Sequence, residues 1–188
     1  MSVLRRSDII RRYNKNQSIN LGESVEKRYA RRMVNESLES LASDELFDIF
    51  LSHSYEDARV VKQIKDMLSD KGYSVYVDWI EDDHLDRGEV TEETAEVLKS
   101  RMDRCGSLIY LASQSAESSV WMPWELGYMD AKTGRVAVAP VLNDDENFEG
   151  REYLGLYPYL DLTVDDFYVH RSESDFAGLD RWMHGAKI

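Results

Sequence analysis

From residue 46 onward the chain switches repeatedly between two hydrophobic periods. Leu46–Leu51 (LFDIFL) is an apolar run of strand length. Residues 55–71 then carry Val60, Val61, Ile64, Met67 and Leu68 at helical spacing, and Gly72 stands where such a helix would stop. Tyr73–Val77 (YSVYV) is β-branched and aromatic, a second strand, and a polar loop follows over 79–88. Val90–Met102 is helical in spacing, Cys105–Ala112 (CGSLIYLA) reads as a strand, residues 118–132 as a helix and Val136–Leu142 as a fourth strand. Tyr153–Leu162 holds a fifth, and the tail from Ser172 has the spacing of a final amphipathic helix. Ahead of all this, residues 22–42 keep an i, i+4, i+8 rhythm through Val25, Tyr29, Met33 and Val34, then Leu38 and Leu41. Residues 1–43 therefore read as a helical N-terminal extension and 44–188 as one domain.

Short alternating strands and helices with apolar strands predict an α/β fold, a central parallel sheet of about five strands covered on both faces. Sheets of this kind take ligands at the carboxyl ends of their strands, near the switch in strand order. That directs attention to Ser52–Tyr55, Asp78–Gly88 and Ser113–Glu125.

Composition supports a folded domain: 43% of the 188 residues are apolar, including eleven Tyr, five Phe and four Trp. Charge adds an asymmetry. Residues 1–35 carry nine Lys/Arg against three Asp/Glu, a net +6, whereas residues 36–188 carry fourteen against thirty-three, a net −19. An acidic body repels phosphate backbones and anionic lipids, so general nucleic-acid or membrane binding is excluded for it. The basic segment is expected to dock on its own acidic body or on a neighbour's, in preference to RNA or lipid. The single cysteine, Cys105, allows neither a disulfide framework nor a cysteine zinc site within one chain, which suits a reducing cytoplasm. Charges interrupt MSVLRRSDIIRRYNKN too often for a signal-peptide core, and no run reaches the apolar length that spans a bilayer.

The third of the three segments, SAESSVWMPWELGYMDA, carries the most chemistry. Pro123 lacks an amide hydrogen and fits only a helix's first turn, which makes Ser118 or Ser119 the expected cap. Trp121, Trp124, Glu125 and Tyr128 then share one stripe. Spacing allows two readings: a partly desolvated acid beside an aromatic platform, or a packed aromatic stripe with Glu125 at its solvent edge. Spacing alone favours the second. In the first segment, Ser52 and Ser54 offer hydroxyls to a phosphate or ribose. Ser54 also suits a helix cap, with Glu56 and Asp57 as first-turn acids. His53 reads as a hydrogen-bonding loop residue, with no recognisable Ser-His-Asp spacing around it. The cluster Glu81, Asp82, Asp83, His84, Asp86 is contiguous and lacks the EF-hand pattern, so a solvated acidic loop is expected and no metal site.

FDIFLSHSYEDA, the strand ending in YVDW, and SSVWMPWELGYMDA resemble the successive signatures of TIR domains, bacterial ones especially, over Leu46–Leu142. The resemblance implies a flavodoxin-like fold. It further implies that Glu125 occupies the position of the glutamate that enzymatic members require to cleave NAD+, and that Trp121 matches the tryptophan four residues before it. On that basis Glu125 is the expected catalytic residue. Ser52, His53, Ser54, Asp78, Trp79 and Trp121 are the expected substrate contacts, with Trp121 facing the pocket and Trp124 packed on the sheet. NAD+ is then a substrate, with no resident cofactor. One carboxylate suffices, because nicotinamide is cationic in NAD+ and leaves as a neutral molecule without needing a general acid. Water as nucleophile gives ADP-ribose; an atom of the substrate itself gives a cyclic ADP-ribose. The resemblance also implies a homo-oligomer built through TIR–TIR contacts, a downstream effector that senses the product, and a place in bacterial antiviral defence such as Thoeris.

The loop after the second strand departs from the family pattern Arg-Asp-x-x-Pro-Gly, reading Asp78-Trp79-Ile80 and then Glu81-Asp82-Asp83. Its acidity suits a basic partner, and Arg5, Arg6, Arg11, Arg12, Arg31 or Arg32 of another subunit would meet that need. A non-catalytic TIR adaptor acting by assembly is the alternative reading. A nucleoside deoxyribosyltransferase-like enzyme, which also sets a carboxylate beside a ribose, is a more distant one.

Overall fold

A computed structural model of the chain describes residues 4–17, 46–77, 91–143, 152–162 and 166–188. The helix expected over 22–42 and the acidic loop Asp78–Gly88, with Asp78 and Trp79, lie outside the described residues.

Among the described residues eight strands form one sheet: β1 Leu4–Arg5, β2 Phe47–Ser52, β3 Val75–Tyr76, β4 Cys105–Ala112, β5 Val136–Leu142, β6 Tyr159–Leu162, β7 Phe167–His170 and β8 Phe176–Gly178. The helices are α1 Arg6–Gln17, α2 Ala58–Asp70, α3 Glu92–Met102, α4 Trp121–Thr133 and α5 Leu179–Met183. The strand order is β3-β2-β4-β5-β6-β7-β8, with β1 on β5. The run β3-β2-β4-β5-β6 is parallel throughout and has the flavodoxin-like 2-1-3-4-5 order, so its topological switch point lies between β2 and β4. This is the α/β architecture that the alternating periods predict.

Parallel strands joined by helices are buried on both faces, and the packing divides by odd and even positions. Ile49, Leu51, Ile109, Leu111, Ala137 and Ala139 face α2 and α1, together with Val60, Val61, Ile64, Leu68 and Ile9. Phe50, Leu108, Tyr110, Val136 and Val138 face α3 and α4, against Leu98, Met102, Met122, Leu126 and Met129. At the end of α2, Gly72 takes φ 93, and the amides of Gly72 and Tyr73 donate to the carbonyls of Ser69 and Leu68 at 2.9 and 3.2 Å. This is the Schellman closure for which a glycine is suited.

Two regions differ from the periodicity. The first seventeen residues were read with the extension, yet β1 pairs in parallel with Val141 and Leu142 of β5, α1 follows at once, and Ile9 is buried in the central core. A two-residue strand has no period to detect. The tail was expected to be helical from Ser172, but only Leu179–Met183 is. Before it, β7 and β8 pair antiparallel around residues 171–175, where the Arg171 amide donates to the Asp175 carbonyl at 2.9 Å and the Asp175 amide to Ser172 Oγ at 3.1 Å. The small polar residues there favour this local turn over a helix.

Burial of Ile9 gives a direct test of the N-terminal segment. Ile9→Ala should lower the free energy of unfolding by about 2–5 kcal/mol, the range for a buried large-to-small change. Urea denaturation checks this; a loss under about 0.5 kcal/mol, as for a surface site, would show that α1 lies off the core.

Candidate active site

Ser52 ends β2 and shares the parity of Phe50, so its side chain leaves the sheet on the α4 face. There Ser52 Oγ donates to Glu125 Oε2 at 2.6 Å, and both residues are buried, 1% and 0% exposed. That length is typical of a hydroxyl donating to a carboxylate. The contact joins the last residue of one strand to a helix that follows the neighbouring strand, and it sits at the switch point.

The packing of α4 explains the burial of Glu125. Met122, Leu126 and Met129 press on the sheet, and Glu125 lies between them on the inner stripe with Trp121, four residues earlier. Trp124 and Tyr128 fall on the flank and are only half-buried. The spacing-based placement of Glu125 at a solvent edge is therefore overturned. The two tryptophans also exchange their expected places: Trp121 is 5% exposed within the core, while Trp124 is the more accessible and meets Trp121 edge-on at 5.6 Å and Tyr128 in a stack at 5.9 Å. Tyr128 in turn donates to Asp103 at 2.8 Å, and this bond, ahead of the nearby Lys132 ammonium, holds the Asp103 carboxyl below its ordinary range. The stack thus ties α4 to the end of α3. Pro123 lies in the first turn, and Ser119 Oγ accepts the Met122 amide at 3.2 Å, although Val120 occupies the cap position proper.

The turn after β2 brings the remaining candidates to the same edge. His53 is buried, with Nδ1 bonded to the Leu51 carbonyl at 2.8 Å; a carbonyl only accepts, so Nδ1 carries the proton. Ser54 is half-buried and makes no side-chain cap bond; its backbone carbonyl accepts the Asp57 amide at 3.0 Å. Asp57 does lie in the first turn with Glu56, but it is buried. It is 2% exposed, its Oδ1 paired with the Arg6 guanidinium and its Oδ2 accepting from Ser113 Oγ, while Ser113 Oγ itself accepts the Ala116 amide at 3.2 Å. A carboxylate buried this deeply is tolerated when it is both paired and hydrogen-bonded.

Nothing in the sequence joins Arg6, Asp57 and Ser113 into one group, or singles out Tyr55 and Val120, which are 77% and 64% exposed. Their signals were weak: one Arg among several in a basic segment and an acid in an ordinary helix start. Arg5 and Arg6, which were expected to reach a neighbouring subunit, are engaged within the chain, Arg5 Nη1 donating to the Asn143 carbonyl at 2.7 Å. Cys105 is buried at the opposite end of β4, and burial pushes its thiol up to about 12. Among the described residues no cluster of three or more His, Cys, Asp and Glu is placed to hold a metal, and no helix is long and apolar enough to cross a membrane.

Two outcomes follow from these burials. Trp121→Ala should cost about 3–5 kcal/mol of stability and Trp124→Ala clearly less, as read from urea midpoints; the opposite order would mean that α4 is rotated from the position described. Since only the thiolate alkylates, Cys105 should resist iodoacetamide at pH 8 in the native protein and react once urea unfolds it. Rapid labelling without denaturant would contradict its burial.

Comparison with known proteins agrees with this architecture. The profile of the TIR domain family matches residues 49–179. The chain is 39% identical over 176 residues to the "Probable 3' cyclic ADP-D-ribose synthase ThsB'" of Bacillus cereus (strain MSX-D12), covering 86% of this chain and 91% of that protein. It is 31% identical over 111 residues to the "Putative cyclic ADP-D-ribose synthase TIR2" of Cytobacillus dafuensis, covering 58% of this chain and 29% of that one. The parallel sheet in flavodoxin-like order, the acid–hydroxyl pair at its switch point and these matches lead to one conclusion: the chain belongs to the TIR domain family.

Proposed function

We propose that this protein cleaves the nicotinamide–ribose bond of NAD+ and closes the remaining ADP-ribose into a cyclic product, with Glu125 as the catalytic carboxylate. The observation that carries the reading is the buried Ser52–Glu125 pair at the carboxyl edge of the sheet, 2.6 Å between oxygens. The names of the two relatives support cyclisation over simple hydrolysis, and that of the Bacillus cereus protein supports the 3' isomer.

The chemistry needs few groups. As the bond from the ribose carbon to the nicotinamide nitrogen breaks, its electron pair neutralises the pyridinium ring and positive charge develops on the ribose. A carboxylate held in a low-dielectric setting stabilises that charge. Ser52 orients Glu125 by donating to its Oε2. A hydroxyl of the substrate then attacks the cationic carbon and gives up its proton, closing the ring; water in its place gives ADP-ribose. Ser54 and the His53 turn contact the ribose or phosphates, Trp121 backs Glu125 from within the core, and Asp78 and Trp79 are further substrate contacts in this reading.

Glu125 is fully buried, so substrate reaches it only when the surrounding edge opens. We place that opening in a homo-oligomer formed through TIR–TIR contacts, which makes assembly part of activation. A cyclic nucleotide product then serves as a signal for a downstream effector in bacterial defence.

Glu125→Gln preserves the shape and the Ser52 contact but removes the charge. Losing a stabilising group of this type costs about 2.7–4 kcal/mol, so nicotinamide release should fall about 100- to 1,000-fold with the melting temperature nearly unchanged. Chromatography of the products from wild-type protein should show cyclic ADP-ribose in excess over the linear form. Full turnover by the variant would remove Glu125 from the mechanism, and no nicotinamide release by wild-type protein under any assembly condition would favour the adaptor reading.

A further inference from the structure

We infer that Arg6 is a positioning residue for the active-site edge: through Asp57 it sets the turn that carries Ser52, His53 and Ser54, which makes the N-terminal segment a working part of the site. The inference rests on the proposed NAD+ chemistry at Ser52 and Glu125.

The six residues from Ser52 to Asp57 connect β2 to α2. At one end Ser52 is held by Glu125 on the α4 face of the sheet. At the other end Asp57 is held on the α1/α2 face by Arg6 and by Ser113, two residues after Leu111, whose side chain faces α2. Between the ends, the Asp57 amide donates to the Ser54 carbonyl at 3.0 Å and His53 is tied to the Leu51 carbonyl at 2.8 Å. The turn is thus pinned from both faces, and the Arg6 clamp joins α1, the start of α2 and the end of β4. Arg6 is itself well placed to hold, since β1 pairs with β5 directly before it and Ile9 anchors α1 directly after it.

Arg6 is the only part of this clamp that comes from outside the β2–α4 unit. Without it, Asp57 is a buried carboxylate with one neutral hydroxyl in support. It must then draw water or move outward, and either response shifts the turn. A one-ångström displacement of groups that position a substrate is enough to cost two orders of magnitude in rate. The guanidinium's fork is also hard to replace, because a lysine offers one charged point in its place.

The test separates positioning from stability. Arg6→Met alone leaves an unpaired buried charge and should lower both the melting temperature and kcat for nicotinamide release. Combining it with Asp57→Asn removes that charge while leaving an amide oxygen for Ser113. The double variant should recover most of the melting temperature yet keep kcat at least tenfold below wild type, with KM changed less than kcat. Arg6→Lys should give an intermediate kcat. Hydrogen exchange at the Asp57 amide, measured on the same proteins without NAD+, should be faster in the double variant than in wild type. If kcat recovers together with the melting temperature, or if the Asp57 amide keeps its wild-type protection, the clamp is a structural ion pair and the inference fails. Glu125→Gln, assayed alongside, reports on the catalytic reading separately: full activity there with faster exchange in the double variant would sink the assignment of Glu125 and leave the clamp's hold on the turn established.

Discussion

A parallel sheet covered on both faces meets solvent only at the ends of its strands. In this chain that constraint governs everything else. The interior positions of β2, β4 and β5 are mostly Ile, Leu, Val, Ala, Phe and Tyr on both sides, and the buried hydroxyl among them, Ser107, is spent on the Asp48 carbonyl of the neighbouring strand. Where β2 and β4 end, the chain departs in two directions, into α2 on one face and towards α4 on the other. The gap between those departures is where hydroxyls and carboxylates accumulate: Ser52, His53, Asp57, Ser113 and Glu125 are all buried there.

Two of these residues are carboxylates shielded from water, and they are accommodated differently. Asp57 meets a guanidinium and a hydroxyl, so its charge is compensated within the protein and it acts as a strut. Glu125 sits among methionines, leucine and tryptophan on the inner stripe of α4, bonded to a neutral Ser52. In the proposed reaction this carboxylate stabilises the positive charge that develops on the ribose as nicotinamide leaves. In the proposed scheme Asp57 holds the edge and Glu125 takes part in the reaction, and the turn between β2 and α2 carries the contact from one to the other.

The N-terminal segment takes on a different character in this light. Its basic residues look like a tail suited to binding something acidic. Arg6 does so within the chain, on Asp57, and Arg5 donates to the neutral Asn143 carbonyl, while β1 extends beyond the part of β5 that pairs with β4 and β6. The charge asymmetry between the two parts of the chain is therefore partly satisfied at the site itself.

By itself the sequence determined the layered fold and the place to look within it. Hydrophobic period is a local property: Cys105–Ala112 and Val136–Leu142 are strands with the bounds read from their apolar runs, and Gly72 ends α2 because its backbone freedom is its own. The motif around Trp121 and Glu125 was likewise legible, since it is contiguous. Tertiary structure alone decided how far each residue is buried and with what it pairs. Whether Glu125 lies at a solvent edge or in the core depends on a modest rotation of α4, which spacing does not specify and packing of Met122, Leu126 and Met129 does. The exchange of Trp121 and Trp124 has the same origin. Arg6, Asp57 and Ser113 are separated by more than fifty residues at each step, and a two-residue strand and a hairpin turn have no period to read. Contacts of that kind exist only once the chain has closed on itself, because the sheet edge that assembles them is built from strands distant in sequence.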